Sequence, residues 1–395
     1  MATTTDRLAH PADRAAGRRD PRTRREARPR RPAAFVGIVG LTVVLCVVGL
    51  VMVLSSSSVE ALRTYGNAWV FFIRQAVWVT IGGVALWFAS RVDYRRWRRF
   101  GRVILVVSVG LLVLVLVPGI GISVSGSSCW LGRGPVQFQP SEFAKLGVLL
   151  YLADLLDRRA GQLHDARLTL YPVIAILAVV GGLVMLQPDM GTTIVITCIV
   201  LAVQFVGGTP MAALFAQLAA MTFVGIGYGI VAPYRRARLG CFLHPAHDAA
   251  GTCYQLSQSL VGLGTGNIVG VGLGASRAKW GFLPNAHTDF IFAIIGEELG
   301  LIGAAVVVAL FAALAWIGVR TALRAPDRFG VLLAAGLTAW IIGQAVLNIG
   351  AVIGILPVTG VPLPFVSFGG SSLVITMFGV GILANIARQE KARRG

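Results

Sequence analysis

Long runs of apolar residues, separated by short polar stretches, make up almost the whole chain after residue 33. Most runs approach the roughly 20 residues that a helix needs to cross a bilayer. None alternates apolar and polar positions as a membrane β-strand would, and a helix satisfies its own backbone hydrogen bonds in lipid. The pattern therefore predicts an all-α integral membrane protein with about ten transmembrane helices. The predicted spans are 34–54, 68–90, 102–118, 140–157, 169–186, 191–207, 210–231, 289–319, 329–354 and 371–387.

The composition agrees with this prediction, since 56% of the 395 residues are hydrophobic and only 13% are charged. Soluble domains carry about 25% charged residues. The net charge of +18 raises the question of a nucleic-acid partner, but the basic residues lie in short segments beside the spans. We therefore expect no nucleic-acid partner.

The basic segments assign the two sides of the membrane. Residues 1–32 contain ten arginines and four acids with little apolar periodicity, which predicts a disordered basic cytoplasmic tail. The positive-inside rule makes the side that collects the other basic segments cytoplasmic as well. Those segments are 91–99, 157–167, 320–328 and 387–395. Residues 33–390 are then a multi-pass domain of the cytoplasmic membrane, with both termini in the cytoplasm.

One long extracytoplasmic loop, residues 232–288, is predicted between spans seven and eight. Its cations exceed its acids: Arg235, Arg236, Arg238, Arg277 and Lys279 stand against Asp248. Two explanations stay open, because long loops obey the charge rule poorly and because the cations could meet an anionic ligand. Cys241 and Cys253 share the loop and could form a disulfide if it faces an oxidising compartment.

Charged residues inside or beside apolar spans are expensive and indicate function. Glu142 and Lys145 lie three residues apart, so they share a helix face and can pair; the pair is either structural or functional. Asp189, after Pro188, and Asp289 stand where the sixth and eighth spans begin, so each is a candidate helix cap. For Asp289 the competing role is that of a general base.

Two segments rich in glycine or proline interrupt the apolar pattern. Residues 262–274 lack the spacing of a dinucleotide-binding motif and are either structural turns or a loop folded back over a cavity. Residues 356–373 predict a re-entrant segment, which is tolerated at membrane depth where it lines a cavity. These segments and the charged residues all lie toward the outer side, which predicts one outward-facing polar cavity.

Five stretches of the chain together resemble the SEDS family, the shape, elongation, division and sporulation proteins. The resemblance spans nearly everything after residue 35 and is closer to the division members than to the elongation members. It is carried by QPSEFAKL (139–146), LQPDMGT (186–192), YQLSQSLVGLGTGNIVGVGLGAS (254–276), GFLPNAHTDFIFAIIGEELGLIG (281–303) and NIGAVIGILPVTGVPLPFVSFGGSSL (348–373).

This resemblance implies a peptidoglycan glycosyltransferase that polymerises lipid II into glycan strands outside the cytoplasmic membrane during cell division. Asp289 matches the family's essential aspartate and would be the general base. Glu142 and Lys145 match its fourth-span pair, and Asp189 matches the acid of its QPD turn. The predicted substrate-binding residues are Glu142, Lys145, Asp189, Arg235, Arg238, Lys279, His287, Thr359 and Ser371.

The implied partners are lipid II and other lipid-linked glycan, a class B penicillin-binding protein transpeptidase, and other divisome membrane proteins. The sequence demands no cofactor, although a divalent cation (Mg²⁺ or Mn²⁺) would assist the departure of a pyrophosphate. Two departures from the family pattern stand out. Cys129 precedes Trp130 where an arginine is common, and Asn285 follows Pro284 where the family often has glutamate.

Three alternatives to a division polymerase stay open: an elongation-type polymerase, a flippase for lipid-linked precursors, and a scaffold that only recruits a synthase. A transporter is expected to show inverted repeats and polar residues near the middle of the membrane. Here no such repeat is visible in the sequence, and the polar residues gather at the outer end of the spans. That placement favours chemistry at the outer surface.

Overall fold

The computed structural model describes residues 33–124, 127–133, 136–162, 169–231, 236, 240–242, 248, 251 and 253–390. The predicted basic tail, residues 1–32, lies outside the described residues, and so do Arg235 and Arg238.

Eleven α-helices account for most of the described chain, and each predicted span coincides with one of them. Eight are long and apolar enough to cross a membrane. Of the other three, α4 carries five charged residues, α5 is 17 residues long, and α8 lies within the long loop. The helices are α1 Ala33–Tyr65, α2 Val70–Arg91, α3 Tyr94–Leu116, α4 Pro140–Arg158, α5 Leu170–Leu186, α6 Met190–Gly207, α7 Met211–Val231, α8 Tyr254–Thr265, α9 Ile291–Arg324, α10 Arg328–Val352 and α11 Gly370–Arg388.

The centre of the bundle is formed by α4, α10 and α11, whose side chains are mostly buried. Helix α11 packs against α2, α10 packs against α6 and α9, and α4 packs against α3 and α6. The apolar core includes Leu149 and Leu150 of α4, and Trp340 of α10. Because α4 is central, its polar residues are enclosed by protein and do not face lipid.

A small antiparallel sheet between α3 and α4 was not predicted. Its strands are β1 Ile122–Val124, β2 Ser127–Arg133 and β3 Val136–Phe138, in the order β1-β2-β3. The pairing of Leu131 with Phe138 brings the chain directly to the start of α4. The fold is therefore all-α in its membrane part, with one short sheet at the end of the bundle.

Helix α9 is broken at Gly300, where φ is 68° and ψ is −167°. The glycine-rich segment 266–274 fills the break: Val271 N donates to Glu297 O at 3.0 Å, and Leu301 N donates to Asn267 O at 2.9 Å. A Cβ atom at position 300 would come within 2.4 Å of Gly270 N. The glycines of this segment thus permit a backbone-to-backbone contact that satisfies the groups freed by the break.

At the other end of α9, a polar cluster ties three helices together. Asp327 caps α10 by accepting from Gly330 N at 2.8 Å. It also accepts from Tyr94 Oη at 2.8 Å and from Arg95 Nε at 2.6 Å, both at the start of α3. Arg95 in turn donates to Gln389 Oε1, just after α11, at 3.0 Å. The cluster fixes the start of α3 against the α9–α10 turn.

Candidate active site

Asp289 lies in a series of turns before α9 and is partly exposed. The helix begins at Ile291 and its N-cap is Phe290, so the expectation that Asp289 caps this helix is wrong. The helix starts late because Thr288 N and Phe290 N both bond to Asn285 O, at 3.1 and 3.4 Å, in a turn. The Asp289 carboxylate is therefore not required for capping, and it lines a small cavity with Asn348 and Thr359.

Glu142 and Lys145, in the first turns of α4, form the predicted pair. Lys145 Nζ lies 2.8 Å from Glu142 Oε1, and the side chains are 0% and 2% exposed. Nζ also donates to Gln344 Oε1 of α10 at 2.9 Å and lies 5.2 Å from the centre of the Trp340 ring. Burial of an ion pair is tolerated where further hydrogen bonds complete it. Gln344 and Trp340 supply contacts to Lys145, whereas Glu142 Oε2 has no hydrogen-bond partner among the described residues.

Two amide side chains on α10 connect this ion pair to Asp289. Gln344 Nε2 donates to Pro362 O at 3.0 Å. One helical turn later, Asn348 Nδ2 donates to Val361 O at 2.7 Å and to Asp289 O at 2.8 Å. The re-entrant segment is thus held between Lys145 and Asp289. Sequence reasoning missed both amides, although their spacing of four residues inside an apolar span was a visible signal.

Asp189 caps α6, as the sequence suggested, with Oδ1 accepting from Thr192 N at 2.9 Å. Its other oxygen accepts from Gln139 Nε2 at 3.1 Å, and Gln139 N donates to Ser371 Oγ at 3.1 Å. Part of the residue surface stays open, but protein atoms crowd the carboxylate, and this desolvation raises its pKa. The nearby Glu142 adds to the increase in pKa, while the hydrogen bonds from Thr192 and the charge of Lys145 oppose it.

The re-entrant segment also touches the start of α6. A Cβ atom at Gly191 would lie 2.7 Å from Thr359 O and 3.1 Å from Thr359 Cβ, so this close approach requires glycine. Six of the predicted site residues therefore belong to one set of contacts at one end of the bundle. They are Glu142, Lys145, Asp189, Asp289, Thr359 and Ser371.

Two other predicted residues lie in separate clusters. His287 packs its ring 4.8 Å from the ring of Phe71, and its Nδ1 is 3.3 Å from Glu60 Oε2 of α1. Lys279 is buried, donates to Gly274 O, and lies 3.7 Å from Glu298 Oε1. Its positive charge is therefore already paired in this state. Arg235 and Arg238 lie outside the described residues, so their predicted roles stay predictions.

The carboxylates of Glu297 and Glu298 explain why acids cluster after Asp289 in the sequence. Glu297 accepts from Ser276 Oγ at 2.5 Å and from Arg277 N at 2.9 Å. Ser55 Oγ lies 2.7 Å from both oxygens of Glu298 and donates its one hydrogen to this carboxylate. The two glutamates hold the end of the long loop and α1 against the first half of α9, which is an architectural role.

One of the two departures, Cys129, and the predicted disulfide also have a place in the fold. Cys129 is buried in β2 and its Sγ donates to Gln187 O at 3.0 Å. Burial, followed by the charge of Asp189, raises its pKa to about 12, so a neutral thiol stands where the family often has a cation. Cys241 and Cys253 form a disulfide within the long loop, and Cys253 is the N-cap of α8.

The expected divalent cation finds no ready protein site in the described part of the chain. No three His, Cys, Asp or Glu side chains there converge as a metal-binding group. The divalent cation therefore stays a prediction, and we derive no step through one.

Comparisons with known proteins point in one direction. Residues 37–392 match the family of cell cycle proteins that comprises FtsW, RodA and SpoVE. The chain is 41% identical over 363 residues to the stage V sporulation protein E of Bacillus subtilis strain 168, which covers 90% of this chain and 97% of that protein. It is also 41% identical over 371 residues to the probable peptidoglycan glycosyltransferase FtsW of Mycobacterium tuberculosis H37Rv. That match covers 94% of this chain and 71% of the mycobacterial protein.

A solved structure supports the same fold. It concerns the coordination of polymerization and crosslinking by a peptidoglycan synthase complex, and one of its chains superposes with a TM-score of 0.73 at 30% identity. The match covers 89% of this chain and 97% of that one.

Proposed function

Because the chain belongs to the FtsW, RodA and SpoVE family of cell cycle proteins, we propose that it is a peptidoglycan glycosyltransferase. It polymerises lipid II into glycan strands during cell division. Relatives named FtsW, at 38–41% identity over most of the chain, support this function. The single structural observation that carries it is the contact network that joins the partly exposed Asp289 to the buried Glu142–Lys145 pair.

The proposed reaction is a direct displacement at the anomeric carbon of the donor. Asp289 takes the proton of the acceptor hydroxyl as general base. The acceptor oxygen then forms a bond to the anomeric carbon, and the bond from that carbon to the pyrophosphate oxygen breaks. The pyrophosphate leaves with the electron pair, so a single carboxylate is sufficient and the anomeric configuration inverts.

Negative charge grows on the departing pyrophosphate, and fixed positive groups stabilise it most effectively in a site that excludes water. We assign this role to Lys145, together with Arg235, Arg238 and Lys279 of the long loop and its end. Lys145 and Lys279 are paired with Glu142 and Glu298 in the free protein. Contact with pyrophosphate therefore requires these lysines to exchange or share partners.

The remaining substrate-binding residues flank the reacting centre. Glu142 holds Lys145 in place through their 2.8 Å contact, Asp189 and Ser371 hold Gln139 between them, and Thr359 shares the cavity with Asp289. We assign His287 to the rim of the site, because it lies two residues from Asp289 and contacts Phe368 of the re-entrant segment.

The protein crosses the membrane several times, and we place it in the cytoplasmic membrane with both termini inside and Asp289 outside. The basic segments between spans support this orientation. The Cys241–Cys253 disulfide supports it too, because disulfides persist in oxidising compartments.

We further propose that the chain works beside a class B penicillin-binding protein and other divisome membrane proteins. The support is its similarity to a chain of a peptidoglycan synthase complex that coordinates polymerization and crosslinking. A transpeptidase partner would link the strands that this protein makes.

The test is polymerisation of purified lipid II by the full chain, with and without its transpeptidase partner, in detergent. We expect glycan strands that a muramidase digests, with more product when the partner is present. A folded complex that makes no strands, yet moves lipid II across a liposome bilayer, would assign transport in place of polymerisation.

A further inference from the structure

Two oxygen atoms beside Asp289 are buried without a hydrogen-bond partner among the described residues. They are Asn348 Oδ1 and Thr359 Oγ1. Asn348 is 2% exposed, and a buried polar atom with no partner costs about 1–3 kcal/mol. Both residues line the same cavity as Asp289. That cavity is about 10 Å³, which is close to the smallest space that holds one water molecule.

The hydrogen bonds of Asn348 fix the orientation of its amide group. Nδ2 donates to two carbonyl oxygens, Asp289 O and Val361 O. A flipped amide would place Oδ1 against these two acceptors, so the orientation with Nδ2 toward them is the only one that bonds. Oδ1 therefore remains an acceptor with no hydrogen donor among the described residues.

Among the described side chains that line this cavity, acceptors outnumber donors. The Asp289 carboxylate and Asn348 Oδ1 both accept, whereas Thr359 Oγ1 can donate as well as accept. A carbohydrate ring with a hydroxyl group next to another hydrogen-bond donor matches this arrangement. A purely anionic group, such as a phosphate, does not match it.

We propose that this cavity is the pocket for the acceptor hydroxyl, an inference that rests on the proposed function. The attacking hydroxyl of the acceptor sugar occupies this water-sized space, donates its hydrogen to Asp289 and accepts one from Thr359 Oγ1. Asn348 Oδ1 accepts from the neighbouring donor group on the same ring. During reaction the hydroxyl proton passes to the Asp289 carboxylate, the oxygen bonds to the anomeric carbon of the donor, and pyrophosphate departs with the electron pair.

The pocket also gives Asn348 a second function, as a positioning residue. Its Nδ2 holds the backbone of Asp289 and of Val361 at a fixed separation, while its Oδ1 faces the ligand. Asp289 and Thr359, which lies two residues before Val361, thereby line the same small space.

Thr359→Val is the sharpest variant, because it removes only a hydroxyl that has no hydrogen-bond partner among the described residues. If Thr359 were merely structural, this isosteric change would leave turnover intact and raise the melting temperature. Thr376→Val is the matched control: Thr376 is 1% exposed, its Oγ1 is equally without a described partner, and it lines a different cavity.

The experiment measures initial polymerisation rates against lipid II concentration, and thermal unfolding, for the full chain with its partner. We expect Thr359→Val to lower kcat/KM by about tenfold or more, as for a lost hydrogen bond to substrate, with an unchanged or higher Tm. Thr359→Ser should recover most of the rate, and Thr376→Val should match the parent.

A second arm uses a lipid-linked acceptor that lacks the hydroxyl next to the attacking one. The parent protein should polymerise this analogue about tenfold more slowly than the normal acceptor. The Asn348→Ala protein should polymerise the analogue and the normal acceptor at similar rates, because the effects of removing two groups that bond to each other are not additive. If Asn348→Ala fails to fold, the kcat/KM of Thr359→Val relative to Thr376→Val is sufficient to test the pocket.

The outcomes separate this inference from the proposed function. A Thr359→Val protein with the parental kcat/KM, beside an inactive Asp289→Asn protein, overturns the pocket and leaves the glycosyltransferase assignment standing. An Asp289→Asn protein that polymerises normally overturns the proposed mechanism itself.

Discussion

Lys145 and Glu142 form an ion pair of 2.8 Å in which neither side chain reaches solvent. The pair sits at the start of the central helix α4, and Gln344 extends it toward the re-entrant segment. Desolvation makes such a pair costly to build, and removal of one partner leaves an uncompensated buried charge. A single substitution at either residue would therefore change both the stability of the protein and its proposed catalytic activity.

A double substitution separates the two contributions. Lys145→Met alone leaves the buried Glu142 charge without its partner and should destabilise the protein by about 3–5 kcal/mol. Glu142→Gln combined with Lys145→Met removes both charges and should recover most of the lost stability. We expect the double variant to stay nearly inactive although it is folded. Thermal unfolding in detergent and lipid II polymerisation measure the two effects, and an active double variant would assign the pair to structure alone.

The break in α9 predicts a strong dependence on Gly300. Its backbone conformation is open essentially only to glycine, and a non-glycine residue there is strained by about 1–3 kcal/mol. A Cβ would in addition press on Gly270 N and Ile268 O, so Gly300→Ala should displace the 266–274 segment. The control is Gly182→Ala in α5, where a Cβ meets nothing within 4 Å. Equal melting temperatures for the two variants would contradict the account.

The disulfide predicts a specific thiol count. Cys46, Cys129 and Cys198 are free in the structure, so denatured, unreduced protein should react with maleimide at three sites, and reduced protein at five. Five reactive thiols before reduction would show that the loop is not bonded. Replacing Cys241 and Cys253 by serine should lower the free energy of unfolding by about 3 kcal/mol in the chain-entropy account.

Asp327 predicts loss of stability at low pH. Burial alone would raise its pKa, but hydrogen bonds from Gly330, Tyr94 and Arg95 outweigh it, and the pKa is lowered. A lowered acid pKa adds stability that is complete above the ordinary aspartate pKa of about 3.9 and is lost as pH falls through the lowered value.

Asp327→Asn isolates this contribution, since asparagine caps a helix as well as aspartate does but cannot pair with Arg95. The side chains of Arg95 and Asp327 are 46% and 35% exposed, so we expect an effect below about 1 kcal/mol. Melting curves of parent and variant should converge as pH falls below 4. A constant difference between the two curves across that range would contradict the pKa assignment.

Much of the membrane architecture followed from the sequence because each apolar run is long and uniform. The Glu142–Lys145 contact followed from helical spacing, and the cap at Asp189 followed from Pro188 before it. The role of Asp289 as a cap did not hold, because the turn built on Asn285 delays the helix to Ile291. A sequence shows where a polar residue meets an apolar run, but not how a preceding turn is bonded.

The parts that could not be predicted depend on contacts between distant segments. The small sheet has strands of three and seven residues, too short for a periodic signal. The pairing of segment 266–274 with a broken helix depends on a backbone approach that only the folded chain shows. Lys279 was expected to meet substrate, and only the structure shows that Glu298 already neutralises it.

The central claim is that the Asp289 carboxylate accepts the proton of the acceptor hydroxyl. Asp289→Asn keeps the size of the side chain, and no helix cap is lost, because Phe290 occupies that position. The variant should therefore purify with its partner and unfold at the parental temperature. General-base catalysis contributes about 10²–10⁴-fold in rate, so its polymerisation of lipid II should fall by at least about 100-fold.

The most direct measurement is the initial rate of lipid II polymerisation by the purified Asp289→Asn complex beside the parental complex, at saturating lipid II. We expect a folded, partner-bound protein with almost no glycan product. Strands formed at the parental rate would contradict it.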